Sequence, residues 1–505
     1  MSLPYLQKPN SYDNMRTTHT STRRVHPAIL SLLLVALLGW AGCDLLDPSN
    51  VTNPDTTEGS ILDLPAVAGP WRNGLERQTA IVYNEIVVPA EVSTDNYANT
   101  NNFYLNDDAL AFITDQDPSI EDLQFALADL RESAIFGLTK VLENDENTTN
   151  DDLAEFHFFK GLAHLLSGMY FKMLPAEDNG PPVSSEEQYQ RAVAEFEEAL
   201  GLSTGGDKEV SYYLAKARAH YYLDDKASAV AAADAALAAD GNGDYVRYAK
   251  YDGANNVAGD DNTMQDALFE RSTDDLQPLP RLDFLDPKYT DFRKTGDDQD
   301  DIAIFKIEEA YLIKAQGSLA DGDVGGAQQT LVSLLDVVDA RPLFTLVDAS
   351  ELRSNARPGS RPASEGWQIK ASPQDDFRTD LTLIRNDADA EIVVPTISGT
   401  SVDADMINAA NSVDAALELV YLMRQEIFLA EGIRAADFGI KWPVHENEAL
   451  FNGAVTAEDR QPFIPAFIPR QSMDTFSIDF DTKQVVIDVN MNRVLVENKS
   501  MLPFF

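Results

Sequence analysis

The chain is poor in the residues that carry much of protein chemistry. Its 505 residues include one cysteine, Cys43, and six histidines. A single cysteine excludes a framework of intrachain disulfides, although a chain of this length can bury a substantial core without one. The sequence also lacks the HExxH motif of zinc peptidases and a glycine-rich phosphate loop that ends in Lys-Ser or Lys-Thr. We therefore expect no enzymatic activity, no metal and no cofactor.

Basic residues are scarce as well, with 39 Lys and Arg against 83 Asp and Glu. Residues 1–42 hold four of the basic residues and one acidic residue, so 82 acidic and 35 basic residues remain after them, a net charge of −47. Such a surface repels nucleic acid and anionic membranes, and we expect neither to bind the body of the protein. The acidic residues are spread over turns and helix faces, which is typical of a solvated surface. Their excess resembles adaptation to high salt, which screens self-repulsion, and indicates a halophilic bacterium.

The N-terminal segment has the pattern of a secretory signal. Arg23 and Arg24 precede the apolar run Ile29–Leu38, which is too short to span a bilayer as a stable helix. The run is followed by Gly39-Trp40-Ala41-Gly42-Cys43. A cysteine directly after Ala-Gly resembles a bacterial lipobox, in which the thiol receives a diacylglycerol and the new N-terminus a fatty acid such as palmitate. We predict a signal peptide at residues 1–42, starting at Met1 or Met15, a lipid on Cys43 and a tether over residues 43–58. The alternative is a buried free cysteine.

Repeated helix pairs dominate the middle of the chain. Ser211–Ala239 reads as two short helices with alanines on the facing sides and the Asp224-Asp225 turn between them. Related spacings recur at Leu153–Leu200 and Ile302–Val338. Such pairs cannot bury their faces alone and stack on one another, as tetratricopeptide-type repeats do.

The remaining segments complete a mostly α fold class. We predict helices at Ile61–Leu75, Thr79–Val88 and Asp122–Leu142, a helix of more than five turns at Ser412–Phe438, and a small β-hairpin at Phe476–Val489. Proline-rich, irregular insertions are expected near 240–300 and 341–400. Residues 59–505 would then form a single α-helical binding domain, with helix pairs near 153–200, 208–239 and 302–338.

Two helical motifs resemble the RagB/SusD family of surface lipoproteins. Ile307–Gln316 (IEEAYLIKAQ), followed by Asp321-Gly322-Asp323 and Ala327, is similar to the family's "AE-x-YLI-x-AEA … GD … A" pair, with Gln316 where Glu is usual. Arg424–Asp437 (RQEIFLAEGIRAAD) is similar to "R-x-E-L-x-x-E-G-x-R-x-x-D-L", and Lys441-Trp442 lies near the usual Arg-Trp. The Phe463-Ile464-Pro465 and Phe467-Ile468-Pro469 repeats resemble the family's "PIP" element.

The resemblance implies a function as well as a fold. Members of this family bind nutrients, mostly glycans, at the outer membrane and deliver them to a TonB-dependent transporter of the SusC type. We accordingly expect a lipid-anchored, surface-exposed, non-catalytic protein with an oligosaccharide as ligand and a SusC-like transporter as partner. A tetratricopeptide-type scaffold that binds other envelope proteins is the main alternative. A lipoprotein hydrolase is a third possibility.

Sugars stack on aromatic rings and pair their hydroxyls with amides and charges, and two segments offer that combination. The first comprises Asp95, Asn96, Tyr97, Asn99, Asn101, Asn102, Phe103 and Tyr104. It falls where an early loop of the family helps to form the ligand surface, although its rings could instead pack on the body. The second comprises Arg361, Trp367 and Gln368, where the tryptophan is either a ligand platform or an anchor for the loop.

Other polar groups favour structural interpretations. Glu426 and Glu431 point about 140° apart on one helix and cannot face a single substrate, so the charges of this motif are expected to form internal ion pairs. His157 and His164 have no acidic partner at ligand spacing. Asp240–Asp244 (DGNGD) begins like a calcium loop, but Tyr245 replaces the glycine of its sixth position, and we interpret it as a turn.

Overall fold

Helices make up more than half of the residues that the computed structural model describes, as the sequence predicts. The structure describes residues 66–99, 110, 113–251, 262–269, 276–286, 299–347, 366–383 and 391–505, all of which fall within one unit, Leu64–Phe505. The signal peptide, Cys43 and the tether lie outside the described residues and stay predictions. No helix among the described ranges combines the length and the apolar content needed to cross a membrane.

In chain order the helices are α1 (Ala68–Val92), α2 (Pro118–Phe136), α3 (Asn150–Tyr170), α4 (Ser185–Leu202), α5 (Asp207–Tyr222), α6 (Lys226–Ala239), α7 (Thr263–Phe269), α8 (Glu308–Ala320), α9 (Val324–Asp339), α10 (Ala404–Ala409), α11 (Val413–Ile427), α12 (Ile433–Asp437), α13 (Glu448–Phe451) and α14 (Met491–Glu497). The strands are β1 (Tyr97–Asn99), β2 (Met173–Pro175), β3 (Pro182–Ser184), β4 (Val246–Ala249), β5 (Leu276–Pro278), β6 (Ile302–Lys306), β7 (Leu343–Val347), β8 (Gln368–Lys370), β9 (Glu391–Pro395), β10 (Phe476–Asp479) and β11 (Gln484–Ile487). Helix α2 continues as a π-helical turn, Gly137–Val141, and a short α-helical turn, Leu142–Asn144, and short 3-10 helices lie at Pro280–Leu285 and Lys499–Met501.

The three predicted helix pairs are confirmed as α3–α4, α5–α6 and α8–α9. Each second helix begins at a polar cap. The Asp225 side chain accepts a hydrogen bond from the backbone N–H of Ser228, and Asp323 does the same for Gly326. These caps satisfy backbone donors that the first helical turn leaves unpaired. Asp and Ser side chains therefore decide where these helices start.

Small residues allow the paired helices to approach closely. Ala215, Ala217 and Ala219 of α5 are fully buried. A Cβ placed on Gly161 of α3 would lie 2.6 Å from the ring of Phe196 on α4, a distance that real contacts do not reach. Larger side chains along this seam would push the helices apart, so the small residues set the packing distance.

Several predicted boundaries are wrong for physical reasons. The helix expected to start at Ile302 begins at Glu308, because Ile302–Lys306 is strand β6, which pairs antiparallel with β4. The helix expected over Ser412–Phe438 is interrupted after Ile427, where Ala430 and Gly432 adopt positive φ angles of 62° and 77°. The two helices expected within Ile61–Val88 are one helix where the structure describes them, α1.

The insertions contain more regular structure than predicted. Strands β4 to β9 and helix α7 lie in the described parts of residues 240–300 and 341–400, or at their edges. The hairpin β10–β11 is confirmed, and β8 adds to it as a parallel third strand. The insertion that contains Trp367 is thereby attached to the C-terminal hairpin.

Candidate functional site

The charged residues of the long-helix motif are used inside the protein, as predicted. Arg424 donates two hydrogen bonds to Asp437, at 2.7 and 3.0 Å, and both side chains are about 1% exposed. Glu431 pairs with Lys306, and Glu426 accepts from the hydroxyls of Thr400 and Ser401. The motif locks α11 and α12 to the rest of the body and leaves no carboxylate pair for catalysis.

The motif at Ile307–Gln316 has the same structural role. Glu308 and Glu309 are buried and bind Arg341 and Arg218, respectively, each through two hydrogen bonds of 2.7 to 2.8 Å. Gln316 accepts from the Tyr221 hydroxyl and donates to the carbonyl of Pro503. An ionised glutamate could not donate a hydrogen bond to the Pro503 carbonyl, which explains why the Gln316 amide is favourable at this position.

The first predicted ligand segment begins in the interior instead of on the surface. Asp95, Asn96 and Tyr97 are between 0 and 2% exposed. Asp95 binds Arg434 through bonds of 2.8 and 3.0 Å, and Asn96 bridges the side chains of Glu91 and Gln425. Side chains that are buried and bonded in this way belong to the frame, which is where the structure places Asp95 and Asn96. Tyr97 is buried beside them, and its part in ligand binding stays a prediction.

The rest of that segment falls at or beyond the edge of the described chain. Asn99 ends strand β1, and its side chain lies outside the described part of the molecule. Asn101, Asn102, Phe103 and Tyr104 lie outside the described residues, and so does Arg361. Their part in ligand binding stays a prediction.

Trp367 anchors its insertion. It is 6% exposed and packs in a cluster with Ile369, Leu381, Val485 and Ile487. Of the two alternatives for this tryptophan, the structure favours the anchor, because a buried ring cannot serve as a stacking platform. Gln368 is half-buried, and its side-chain oxygen accepts from Gln484 on the neighbouring strand, which supports the same structural interpretation.

The remaining polar candidates have local partners. His157 contacts Glu195 and His164 contacts Gln188, each at 2.7 Å. The Asp240 carboxylate accepts from three backbone N–H groups of its own loop, which makes that loop a turn. No group of three or more potential metal ligands occurs among the described residues.

The chain also contains one motif that is typical of hydrolases. Gly201–Gly205 reads G-x-S-x-G, the spacing of a nucleophile elbow. Ser203, however, follows the end of α4 instead of a strand, and its hydroxyl donates to Glu209 at 3.2 Å. A serine at a helix C-terminus, bonded to a carboxylate and not to a histidine, is not an activated nucleophile.

An aromatic cleft of about 430 Å³ lies where distant parts of the chain meet. Its walls come from the start of α4, the end of α5, the segment after α12, the Phe-Ile-Pro repeats and the last six residues. The aromatic members are Tyr189, Tyr221, Tyr222, Phe438, Phe463, Phe467 and Phe505. Phe463 is 44% exposed, and Glu186 and Asp224 provide carboxylates at exposed positions of the wall. We call this surface the aromatic cleft.

One feature of this cleft is typical of a binding site, and another builds its wall. The rings of Tyr189, which is 3% exposed, and Tyr222 stack on each other at 5.7 Å with an interplanar angle of 18° and form part of the wall. The Tyr222 hydroxyl is buried and has no hydrogen-bond partner among the described residues. An unpaired polar group is costly, and a ligand hydroxyl could satisfy it.

Lys441 supports one wall of the aromatic cleft. Its Nζ donates to the carbonyls of Gly168 and Met169, at 2.6 and 2.9 Å, and to the Tyr189 hydroxyl at 3.0 Å. Burial lowers the pKa of Lys441 to about 7. The lysine holds α3 and Tyr189 in place and has no proton left to donate.

Sequence reasoning misses the aromatic cleft, although the sequence contains signals for it. In the sequence, the Phe-Ile-Pro repeats are recognisable only by their resemblance to a family element, and Tyr221-Tyr222 is recognisable only as part of a predicted helix. Adjacent aromatic residues at the end of an exposed helix pair are a signal for a surface contact, but the partner segments are more than 200 residues away in sequence.

No protein-family model and no curated protein matches the chain. Solved structures do. Its structural neighbours are SusD-like proteins. A SusD superfamily protein from Bacteroides thetaiotaomicron has a TM-score of 0.47 and 10% identity, covering 77% of this chain and 97% of its own. A putative sugar binding protein from Bacteroides vulgatus has a TM-score of 0.46, 13% identity and the same coverage. A SusD-like carbohydrate binding protein from the same species has a TM-score of 0.44 and 12% identity, covering 74% of this chain and 82% of its own. At such scores and identities the likeness does not establish what this chain binds, and its own residues must carry that assignment.

Proposed function

We propose that this chain is a non-catalytic, lipid-anchored protein of the outer-membrane surface that captures an oligosaccharide for a SusC-like TonB-dependent transporter. The lipobox at Cys43 and the two helical motifs support the location and the partner. The observation that carries the binding function is the aromatic cleft. The described residues of the cleft include no nucleophile with an adjacent base, so the cleft is suited to binding a ligand without changing it.

The cleft has the physical properties that sugar binding needs. One exposed ring face is enough to remove the apolar C–H side of a pyranose from water, and carboxylates accept bonds from its hydroxyls. Phe463 provides the most exposed ring of the cleft, while Glu186 and Asp224 supply acceptors. The walls are held by buried contacts, and a site that is already formed spends less binding energy on ordering.

The test is a glycan-binding screen on the chain from Asp44 in high salt, followed by calorimetry with each hit. We expect Phe463→Ala to weaken glycan binding about tenfold or more, because it removes the main stacking ring. Phe480→Ala is the matched control, since Phe480 is a 62% exposed phenylalanine that does not line the cleft. Glycan affinity that is unchanged in Phe463→Ala would place the sugar elsewhere, and a screen with no hit would reject the binding function.

The transporter partnership needs its own experiment. Affinity purification of the lipidated protein from native membranes should bring down a large outer-membrane transporter, and the transporter gene should lie beside this one. Purification without such a partner would contradict the transport role and leave the glycan assignment to the binding screen.

A scaffold protein is the second candidate, and one observation favours it. The aromatic cleft lies at the ends of α4 and α5, and Met501, 56% exposed, adds an aliphatic surface that suits a peptide side chain. A peptide array with the same two variants separates the candidates. Loss of peptide binding in Phe463→Ala, with no glycan bound by the parent chain, would support the scaffold.

A further inference from the structure

Arg281 differs from every other buried arginine that the structure describes. The other six each have a carboxylate within 4 Å: Arg131 with Glu132, Arg218 with Glu309, Arg247 with Glu155, Arg341 with Glu308, Arg424 with Asp437 and Arg434 with Asp95. Arg281 is 4% exposed and forms no ion pair with any described residue. Its Nη2 donates one bond, of 2.7 Å, to the Gln425 side-chain oxygen. Among the buried arginines that the structure describes, Arg281 is therefore the one without a direct ion pair.

The missing partner has an electrostatic consequence. Burial lowers the pKa of Arg281 and outweighs the opposing effect of the Asp95, Glu426 and Glu418 carboxylates, which lie farther away than an ion pair. For Arg247 and Arg424, which are equally buried, a directly bonded carboxylate raises the pKa instead. An isolated buried charge is expensive to keep, and proteins retain one where it has a role that packing alone does not supply.

The guanidinium of Arg281 lines a second cleft, of about 450 Å³. We call it the arginine cleft. It lies between α11, α10, the segment 371–381 and the start of α14. Its apolar lining is aliphatic: Ile369, Leu381, Met406, Leu419 and Leu422, with several alanines. No aromatic residue lines it among the described residues, so it differs in kind from the aromatic cleft.

Other charges in the arginine cleft are already engaged. Glu426 accepts from the Thr400 hydroxyl at 2.8 Å and from both the backbone and the hydroxyl of Ser401 at 2.7 Å. Glu418 contacts Arg493 at 3.3 Å.

Ion pairs around the rim engage the other two arginines near this cleft. Asp375 also binds Arg493, and Arg378 pairs with Asp380. Asp376 is an exposed carboxylate in water at the rim. Arg281, at the buried side of an aliphatic cleft, is therefore the one of these three arginines with no carboxylate within 4 Å among the described residues.

We propose that the arginine cleft binds a small aliphatic monocarboxylate, with the carboxylate on Arg281 and the hydrocarbon against Met406, Leu419 and Leu422. A planar guanidinium matches a carboxylate through two parallel hydrogen bonds. The aliphatic wall removes the hydrocarbon from water, which is the larger share of the affinity. This site is separate from the proposed glycan site and does not depend on it.

The experiment uses octanoate as the anionic probe and 1-octanol as its neutral counterpart. Calorimetry is performed on the chain from Asp44, which retains the whole of the unit Leu64–Phe505. We expect octanoate to bind at least tenfold more tightly than 1-octanol, because a charge-assisted bond is added to the same hydrocarbon contact. Equal binding of the two probes, or no binding of octanoate, would overturn the proposal.

Two variants separate a binding role of Arg281 from a structural one. Arg281→Met replaces the buried charge by an apolar side chain of similar length, so octanoate binding should fall at least tenfold while the melting temperature is unchanged or higher. Leu422→Trp fills the cleft and leaves Arg281 in place, and it should also abolish octanoate binding. Octanoate affinity that survives both changes would refute the site, and so would a large fall in melting temperature in Arg281→Met without loss of octanoate affinity.

The glycan variants serve as a specificity control. Phe463→Ala should leave octanoate binding intact, and Arg281→Met should leave glycan binding intact. A failure of the glycan screen would therefore leave the carboxylate site standing, and a failure of octanoate binding would leave the glycan site standing.

Discussion

Replacing Asp95 with asparagine tests whether this residue belongs to the interior frame or to a ligand surface. Asp95 is the counterion of Arg434, and the two side chains are 2% and 1% exposed. The amide introduced by Asp95→Asn would keep the shape of the carboxylate and could still accept one bond from Arg434. The guanidinium would lose its counterion, however, and its one other side-chain partner is Asn492, which accepts from Nη1 at 2.8 Å.

The expected loss of stability follows from this geometry. Removal of one partner of a buried ion pair leaves the other charge uncompensated and typically costs about 3–5 kcal/mol. The two bonds of 2.8 and 3.0 Å are both lost or weakened, so we expect a value within that range for Asp95→Asn. The matched control is Asp414→Asn. Asp414 pairs with Lys499 at the surface and is 63% exposed, so less than about 1 kcal/mol should be lost.

The assay is denaturant-induced unfolding of both variants, with glycan affinity measured in parallel at a concentration where each is folded. We expect Asp95→Asn to lower the unfolding midpoint and to retain glycan binding in its folded fraction. A double variant with Arg434→Met should recover part of the loss, since the guanidinium that lost its counterion is then removed as well. The structural assignment would be refuted by an Asp95→Asn variant with parental stability and at least tenfold weaker glycan binding.

Three further predictions concern the same frame. Trp367→Ala should destabilise by about 3–5 kcal/mol in a thermal or denaturant melt, because it empties the cluster beneath the hairpin. Phe451→Ala, at an 85% exposed position outside this cluster, should have little effect. Gly432→Ala should lower the free energy of unfolding by about 2 kcal/mol or more, since φ is +77° at Gly432 and a Cβ would meet a side chain at 2.9 Å. Gly453→Ala is the control for this measurement, because nothing lies within 4 Å of a Cβ at that position. Burial lowers the pKa of His164 to about 4, so the folded state prefers the neutral ring. The contribution of His164 to stability is complete above pH 6.5, and about 3 kcal/mol of stability is lost as the pH falls towards 4. A His164→Gln variant should lack this part of the acid sensitivity when unfolding is measured as a function of pH.

The helix pairs could be predicted from the sequence because their determinants are local. Alanine spacing on Ser211–Ala239 and the aspartate caps at Asp225 and Asp323 lie within one or two turns of the structure that they specify. Local propensity, capping and burial all favour the same structure there, and such agreement allows the structure of a segment to be predicted from its sequence.

Strand β6 and the break after α11 could not be predicted in the same way. The run Ile302–Ile307 is apolar enough for a buried helix or a buried strand, and only its pairing with β4, more than 50 residues earlier, decides between them. The apolar pattern continues through Phe428–Gly432, although the backbone turns there. Gly432 is a visible signal, but its N–H and that of Glu431 are held by Glu91, about 340 residues away.

The same limit explains why the predicted ligand residues lie inside. Buried polar networks and sugar sites use the same side chains, namely Asn, Asp, Gln and Arg beside aromatic rings. The residue type therefore does not distinguish a buried polar network from a sugar site. The presence or absence of a hydrogen-bond partner within the chain does. Asn96 and Asp95 have partners more than 300 residues away, whereas the Tyr222 hydroxyl has none among the described residues. Arg281, with six paired arginines as its internal comparison, lacks a counterion there in the same sense. These two groups differ from other incompletely bonded frame atoms, such as Arg218 Nη1 and Trp442 Nε1, because each of their side chains lines a cleft that a ligand can enter.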